Sequence, residues 1–137
     1  MSQEIKITSA VKQAIEQQAL ASCPIECCGL LSGKGDLITT IHPLRNEAEK
    51  AETRYFASPE DLFAAMKQIR EKNDEMIGIY HSHPRSGAYP SVSDVEMAFY
   101  PEAIYFIMAL EPEIDLRAFR ITEDYTREVK IMIVENV

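Results

Sequence analysis

Met76-Ile77-Gly78-Ile79-Tyr80-His81-Ser82-His83 begins as an apolar run and ends in two imidazoles. A run of this length, stopped by Pro84, reads as a central strand at residues 76–83. Side chains alternate along a strand, so Ile77, Ile79, His81 and His83 share one face and the histidines stand at its carboxyl end. Spaced two apart, they can grip one ion. Ser91 and Asp94 follow across a short loop. Two histidines and an aspartate make three protein ligands, and zinc held by three protein ligands keeps a fourth position for water. This is the inventory of a catalytic zinc site.

Working outward, Ile5 and Ile7 alternate like a first strand, and Thr8 or Ser9 can cap a helix that buries Val11, Ala14, Ile15 and Ala19. That helix ends near Cys23-Pro24. Residues 26–32 read as a buried strand, 33–36 as a turn and 37–44 as the hairpin partner. Residues 45–53 are polar and form a loop. Ser58-Pro59-Glu60-Asp61 combines a cap, a proline at the first helical position and first-turn acids, starting a helix whose apolar face is Leu62, Met66 and Ile69. Residues 85–90 make a Gly- and Pro-containing loop, followed by a short helix from Ser91 to about Phe99, stopped by Pro101. Strands at 103–110, 116–122 and 129–134 close the chain. Helices interleaved with strands, then a run of strands, predict an α/β fold in which helices pack on a mixed β-sheet.

The bulk properties bound the answer. The 137 residues fit one domain, 1–137, and 46% hydrophobic with 26% charged residues is an ordinary globular profile. A net charge of −8 disfavours phosphate backbones and anionic lipid, so neither nucleic acid nor membrane is an expected partner. No stretch reaches about eighteen apolar residues, and Met1-Ser2-Gln3-Glu4-Ile5-Lys6 is no secretory leader, which predicts a cytoplasmic protein. Cys23, Cys27 and Cys28 are an odd, crowded set that forms no disulfide framework; they are expected to be small buried hydrophobes.

Taken singly, the site residues have bland uses. A histidine at a strand end is usually structural, and Ser91 with Asp94 three residues on also spells a helix capping box. The joint spacing is harder to dismiss: it arises by chance in about one in several thousand chains of this composition and length. A capped helix start also returns Asp94 toward the strand end, so capping and ligation are compatible. Hydrolysis needs a proton carrier besides the ligands. Glu26 is the candidate, because it opens the apolar run Cys27-Cys28-Gly29-Leu30-Leu31, an odd place for a charge.

Pro24-x-Glu26-x-Cys28-Gly29-Leu30-Leu31, His81-Ser82-His83-Pro84, Ser91 and Asp94 together resemble the JAMM/MPN+ metalloprotease family, in its compact free-standing bacterial form. The resemblance runs in order over nearly the whole chain. It implies a cytidine-deaminase-like three-layer arrangement, one Zn2+ held by His81, His83 and Asp94, Glu26 as general acid/base, and Ser91 as oxyanion stabiliser. It further implies a zinc metallopeptidase or isopeptidase that cuts an amide bond at the Gly-Gly-type C-terminal tail of a ubiquitin-like or sulfur-carrier protein. Relatives of this size trim such carriers or release cysteine from them. The insertions that position ubiquitin chains in larger members have no room here. The competing reading is a non-catalytic MPN-type scaffold that binds protein partners. Zinc nucleoside deamination, on a similar sheet, requires H-x-E and P-C-x-x-C, and neither occurs.

Other residues rank lower. His42, before Pro43 and away from the motif, reads as structural or exposed. The 85–90 loop adjoins the metal ligands and either shapes access or merely connects. By the same resemblance, Asn46 and Tyr55 fall near the site.

Overall fold

The computed structural model describes residues 3–136. The chain runs β1 (Glu4–Thr8), α1 (Ser9–Ser22), β2 (Cys28–Lys34), β3 (Leu37–Leu44) and α2 (Pro59–Glu71). It continues through β4 (Glu75–His83), α3 (Val92–Glu96), β5 (Ile104–Ala109), β6 (Asp115–Ile121) and β7 (Thr126–Val134). Strand β4 sits mid-sheet, antiparallel to β2 and parallel to β5, in the order β1-β3-β2-β4-β5-β6-β7. The mixed sheet curls until its ends meet, because β1 pairs in parallel with both β7 and β3. The seam to β3 is narrow, only Lys6↔Leu37 and Ile7↔Ile38.

Two apolar clusters fill the two faces of this sheet. One joins Val11, Ile15 and Ala19 of α1 to Ile5, Ile7, Leu31, Tyr80 and Phe106; the other joins Ala65 and Ile69 of α2 to Leu30, Ile79, Tyr105 and Ile107. The three expected layers are therefore present, with a curled middle layer. Both long helices start where the caps predict, Thr8 accepting from the Val11 amide and Ser58 from the Asp61 amide. A glycine is required at position 29: any Cβ there would run into the Tyr80 hydroxyl and the His42 carbonyl. That close approach lets the Tyr80 hydroxyl reach across to Gln18 of α1.

Several local expectations are corrected. Ile77 does not share the histidine face. The β2–β4 register shifts between Leu31 and Ser32, so β4 carries an extra residue there; Ile77 turns toward the α1 cluster and Met76 takes its place under α2. In α2 the inward stripe is Leu62, Ala65 and Ile69, while Met66 is 40% exposed. Strand β2 starts at Cys28 rather than Glu26, since the Glu26 amide bonds to the Ala51 carbonyl of the 45–53 loop instead of the ladder. It also runs further, to Lys34, because Gly35, with φ +62, lets Gly35-Asp36 alone make the turn. Helix α3 spans only Val92–Glu96 and places no residue in the apolar core, so its cap and the contacts of Asp94 sustain it. Strand β7 begins three residues early, at Thr126, in register with Ile121.

Candidate active site

Because β4 and β5 are parallel, a crossover must join them, and residues 84–103 supply it with α3 on board. Such crossovers leave the carboxyl end of a strand, where α/β sheets bind their ligands. His81 and His83 end β4, and the crossover returns Asp94 to them. His81 Nε2 lies 3.1 Å from Asp94 Oδ2, His83 Nε2 lies 3.0 Å from it, and the two Nε2 atoms are 3.1 Å apart. All three side chains are buried, Asp94's to 9% exposure.

Local contacts aim these donors. The His83 Nδ1–H donates to the Gly87 carbonyl at 2.8 Å, which turns the Nε2 lone pair inward, the arrangement metal-ligating histidines favour. Among the described residues His81 has no such partner, its Nδ1 being buried without a hydrogen bond; its ring is held by stacking on Tyr55, centroids 4.5 Å apart and planes 24° apart. Ser91 and Asp94 form the expected capping box. The Asp94 amide donates to Ser91 Oγ at 3.0 Å, and the Ser91 amide to Asp94 Oδ2 at 2.9 Å. Capping uses only a lone pair of Ser91, leaving its O–H free to donate elsewhere.

Electrostatics fit a cation. Burial opposes ionisation of Asp94, yet the adjoining His81 and His83 outweigh it and hold the carboxyl well below the usual range. Burial lowers the pKa of His81. At His83 burial also lowers it, but Asp94 and the Gly87 carbonyl outweigh that effect and raise it. Three buried nitrogen and oxygen donors at 3.0–3.1 Å spacing suit a tetrahedral zinc ion, whose ligands at about 2.0–2.1 Å stand roughly 3.3 Å from one another. His81, His83 and Asp94 thus form a group that could hold a metal.

Glu26 joins this group from just ahead of β2. Cys28 pairs with His81, and one step further the Cys27 amide donates to Ser82 Oγ at 2.8 Å while the Ser82 amide donates to the Cys27 carbonyl at 3.1 Å. Ser82 points away from the histidines and so fastens the residue next to Glu26. Glu26 is 4% exposed, and its Oε1 has no hydrogen-bond partner among the described residues. Burial raises its carboxyl to about 7, a value suited to passing protons at neutral pH. Glu26, His83 and Ser91 line one cleft of about 360 Å³, together with Pro24, Thr53 and Arg85.

The remaining expectations sort as follows. Asn46 and Tyr55 lie at the site: Asn46 Nδ2 donates to the Glu26 carbonyl at 3.0 Å, and Tyr55 covers His81. The 85–90 loop contributes Arg85 to the cleft and the Gly87 carbonyl to His83. His42 is buried and bonded to Ser32 Oγ at 2.8 Å, a structural role. Cys27 and Cys28 are buried thiols, burial pushing Cys28 up to about 12. Cys23 breaks the pattern and is exposed at the end of α1. Sequence reasoning passed over Ser82; its position between two same-face histidines was the available signal.

The family model described as prokaryotic homologs of the JAB domain matches residues 8–122. The chain belongs to this family. Among JAB-domain relatives it is similar to the desampylase of Haloferax volcanii, 34% identical over 112 residues covering 80% of this chain and 79% of that one. It is also similar to the CysO-cysteine peptidase of Mycobacterium tuberculosis, 28% identical over 132 residues covering 94% and 90%. The solution structure of protein DSY2949 from Desulfitobacterium hafniense has the same fold, with TM-score 0.89 and 31% identity over 97% of this chain and 94% of that one. Among the described residues, no helix of this JAB domain is long and apolar enough to cross a membrane.

Proposed function

We propose that this JAB domain is a single-domain, cytoplasmic zinc peptidase, loaded with one Zn2+ per chain. It hydrolyses the amide bond at the Gly-Gly-type C-terminal tail of a ubiquitin-like or sulfur-carrier protein. The observation that carries the reading is Glu26, a buried carboxyl with an unpartnered oxygen beside three buried metal-type donors. The names of its relatives, a desampylase and a CysO-cysteine peptidase, point to the same substrate class. Exposed Phe56, Met97, Phe99 and Tyr100 rim an apolar pocket that shares Tyr55 with the site, a surface suited to a folded partner protein.

A zinc ion held by His81, His83 and Asp94 would supply Lewis acidity, polarising the scissile carbonyl and lowering the pKa of water to about 7. The protein's own groups do the rest. Glu26, poised near 7, takes the proton of the attacking water and hands it to the nitrogen of the leaving amine. Ser91 donates its free O–H to the carbonyl oxygen as negative charge develops, a contribution of about 3 kcal/mol for one such donor. Tyr55 closes the far side of His81 and excludes water; burial keeps its phenol protonated.

The test is incubation of purified protein with sulfur-carrier proteins bearing C-terminal extensions, with products read by mass spectrometry. Cleavage after the tail, lost with chelator and in Glu26→Ala, is expected. Undiminished cleavage in Glu26→Ala sinks the mechanism, and metal content that never approaches one zinc per chain favours the scaffold reading.

A further inference from the structure

Asn46 sits just past β3 in a loop with no regular structure beyond its own bridge to Ala57. Its side-chain amide is used at both ends. Nδ2 donates to the carbonyls of Glu26 at 3.0 Å and Arg54 at 2.9 Å, with a longer approach to Ala51 at 3.5 Å. Oδ1 accepts from the amides of Ala48 and Phe56, both at 3.0 Å. A turn of this kind needs only the short-range bond to Ala48. The others reach two places that matter. One is the backbone of Glu26, whose amide is also tied into this loop through Ala51 at 2.8 Å. The second is the pair of peptide groups flanking Tyr55, the ring stacked on His81.

We infer that Asn46 is a positioning residue: one amide clamps Glu26 and the Tyr55 cover of His81 into a single frame, fixing the proton carrier relative to the metal ligands. Glu26 needs such help. It precedes β2, one oxygen of its carboxyl has no partner among the described residues, and outside this loop the two Cys27–Ser82 bonds next door anchor it. Asn46 touches neither the ligand atoms nor the scissile bond and acts through the residues it holds. The inference rests on the acid/base reading of Glu26.

The test compares Asn46→Ala and the near-isosteric Asn46→Asp, which removes both donors, with wild type and with the same changes in a Glu26→Asp background. Metal content by mass spectrometry should match wild type. Turnover should fall about 10- to 100-fold in kcat with KM within about threefold, the range typical of lost supporting contacts around a site. In the Glu26→Asp background the further loss should be under about threefold, because the group being positioned is already misplaced. Hydrogen exchange reads the frame without substrate: the amides of Glu26 and Phe56 should lose at least about tenfold protection while those of β5 keep theirs. Unchanged protection, a kcat per metal-loaded chain equal to wild type, or fully multiplicative losses in the double variants each overturn the proposal while leaving the peptidase reading intact. Wild-type protein inert toward every extended tail overturns the acid/base reading, and this proposal with it.

Discussion

Glu26→Gln should make the metal-free protein more stable while abolishing turnover. Burial moves the Glu26 carboxyl from its ordinary 4.5 to about 7. At 1.36 kcal/mol per pH unit, ionising it in the folded state therefore costs about 3 kcal/mol more than in the unfolded chain. The sign follows from proton counting. Below pH 4.5 both states hold the proton and the term vanishes; between 4.5 and about 7 the unfolded chain ionises first, so wild-type stability falls as pH rises. Glutamine has the same shape and no charge, though its amide brings N–H donors into a place where the carboxylate had only acceptors, and one left unmet takes back about 1 kcal/mol. The net expectation is a gain of about 2 kcal/mol at pH 8, shrinking to a small deficit at pH 4. Urea unfolding in chelator at both pH values measures it. A difference between wild type and variant that stays constant with pH would refute the account of Glu26 as a strained, desolvated acid.

Ser82→Ala removes the acceptor of the buried Cys27 amide and should cost about 1–3 kcal/mol in urea unfolding; an unmoved midpoint would show that the bond holds nothing. Gly29→Ala should destabilise by about 1–3 kcal/mol or more through collision with Tyr80, whereas Gly87→Ala, with open space around it, should stay within about 0.5 kcal/mol, both read by thermal melts. Burial lowers the pKa of His42, so below the ordinary imidazole value of about 6.5 the unfolded chain takes up protons that the folded chain refuses. Stability should drop as pH falls through that window, and His42→Gln should flatten the drop. Since Asp94 favours a proton on His83, zinc competes with it, and affinity measured by metal titration should weaken from pH 8 to pH 6.

What was legible in the chain was local or periodic. Ser58-Pro59 starts α2 because cap and proline act within one turn, and β4 announces itself because a continuous apolar run needs no partner to be seen. The histidine pair is readable for the same reason. What escaped depends on a second strand or a distant loop. Ile77 changes face because of how β2 is registered against β4, and no property of residues 76–83 records that shift. Ala65 rather than Met66 joins Leu62 and Ile69 inward, because a 3.6-residue period admits either position between 62 and 69 and only the docking of α2 on the sheet decides between them. The burial of Glu26 is made by loop residues some twenty positions later, held there by Asn46. The spacing with the capping box already points Asp94 back toward the histidines, but the roles of Glu26 and Ser91 beside them come through family resemblance, because no local rule brings three segments to one point.

Helix α3 adds no residue to the apolar core; the one side chain it buries is that of Asp94, which attaches it to the end of β4. The segment that contributes a ligand is thus held by its cap and by the two histidines rather than by apolar packing. A bound ion would act as a rivet for residues 91–96, so metal status is written into backbone exposure as well as into activity. A chain that has lost its ion would present a loosened stretch to proteases while its curled sheet remained intact. Limited proteolysis at α3, compared with and without chelator, would then report metal loading in a crude extract without any substrate.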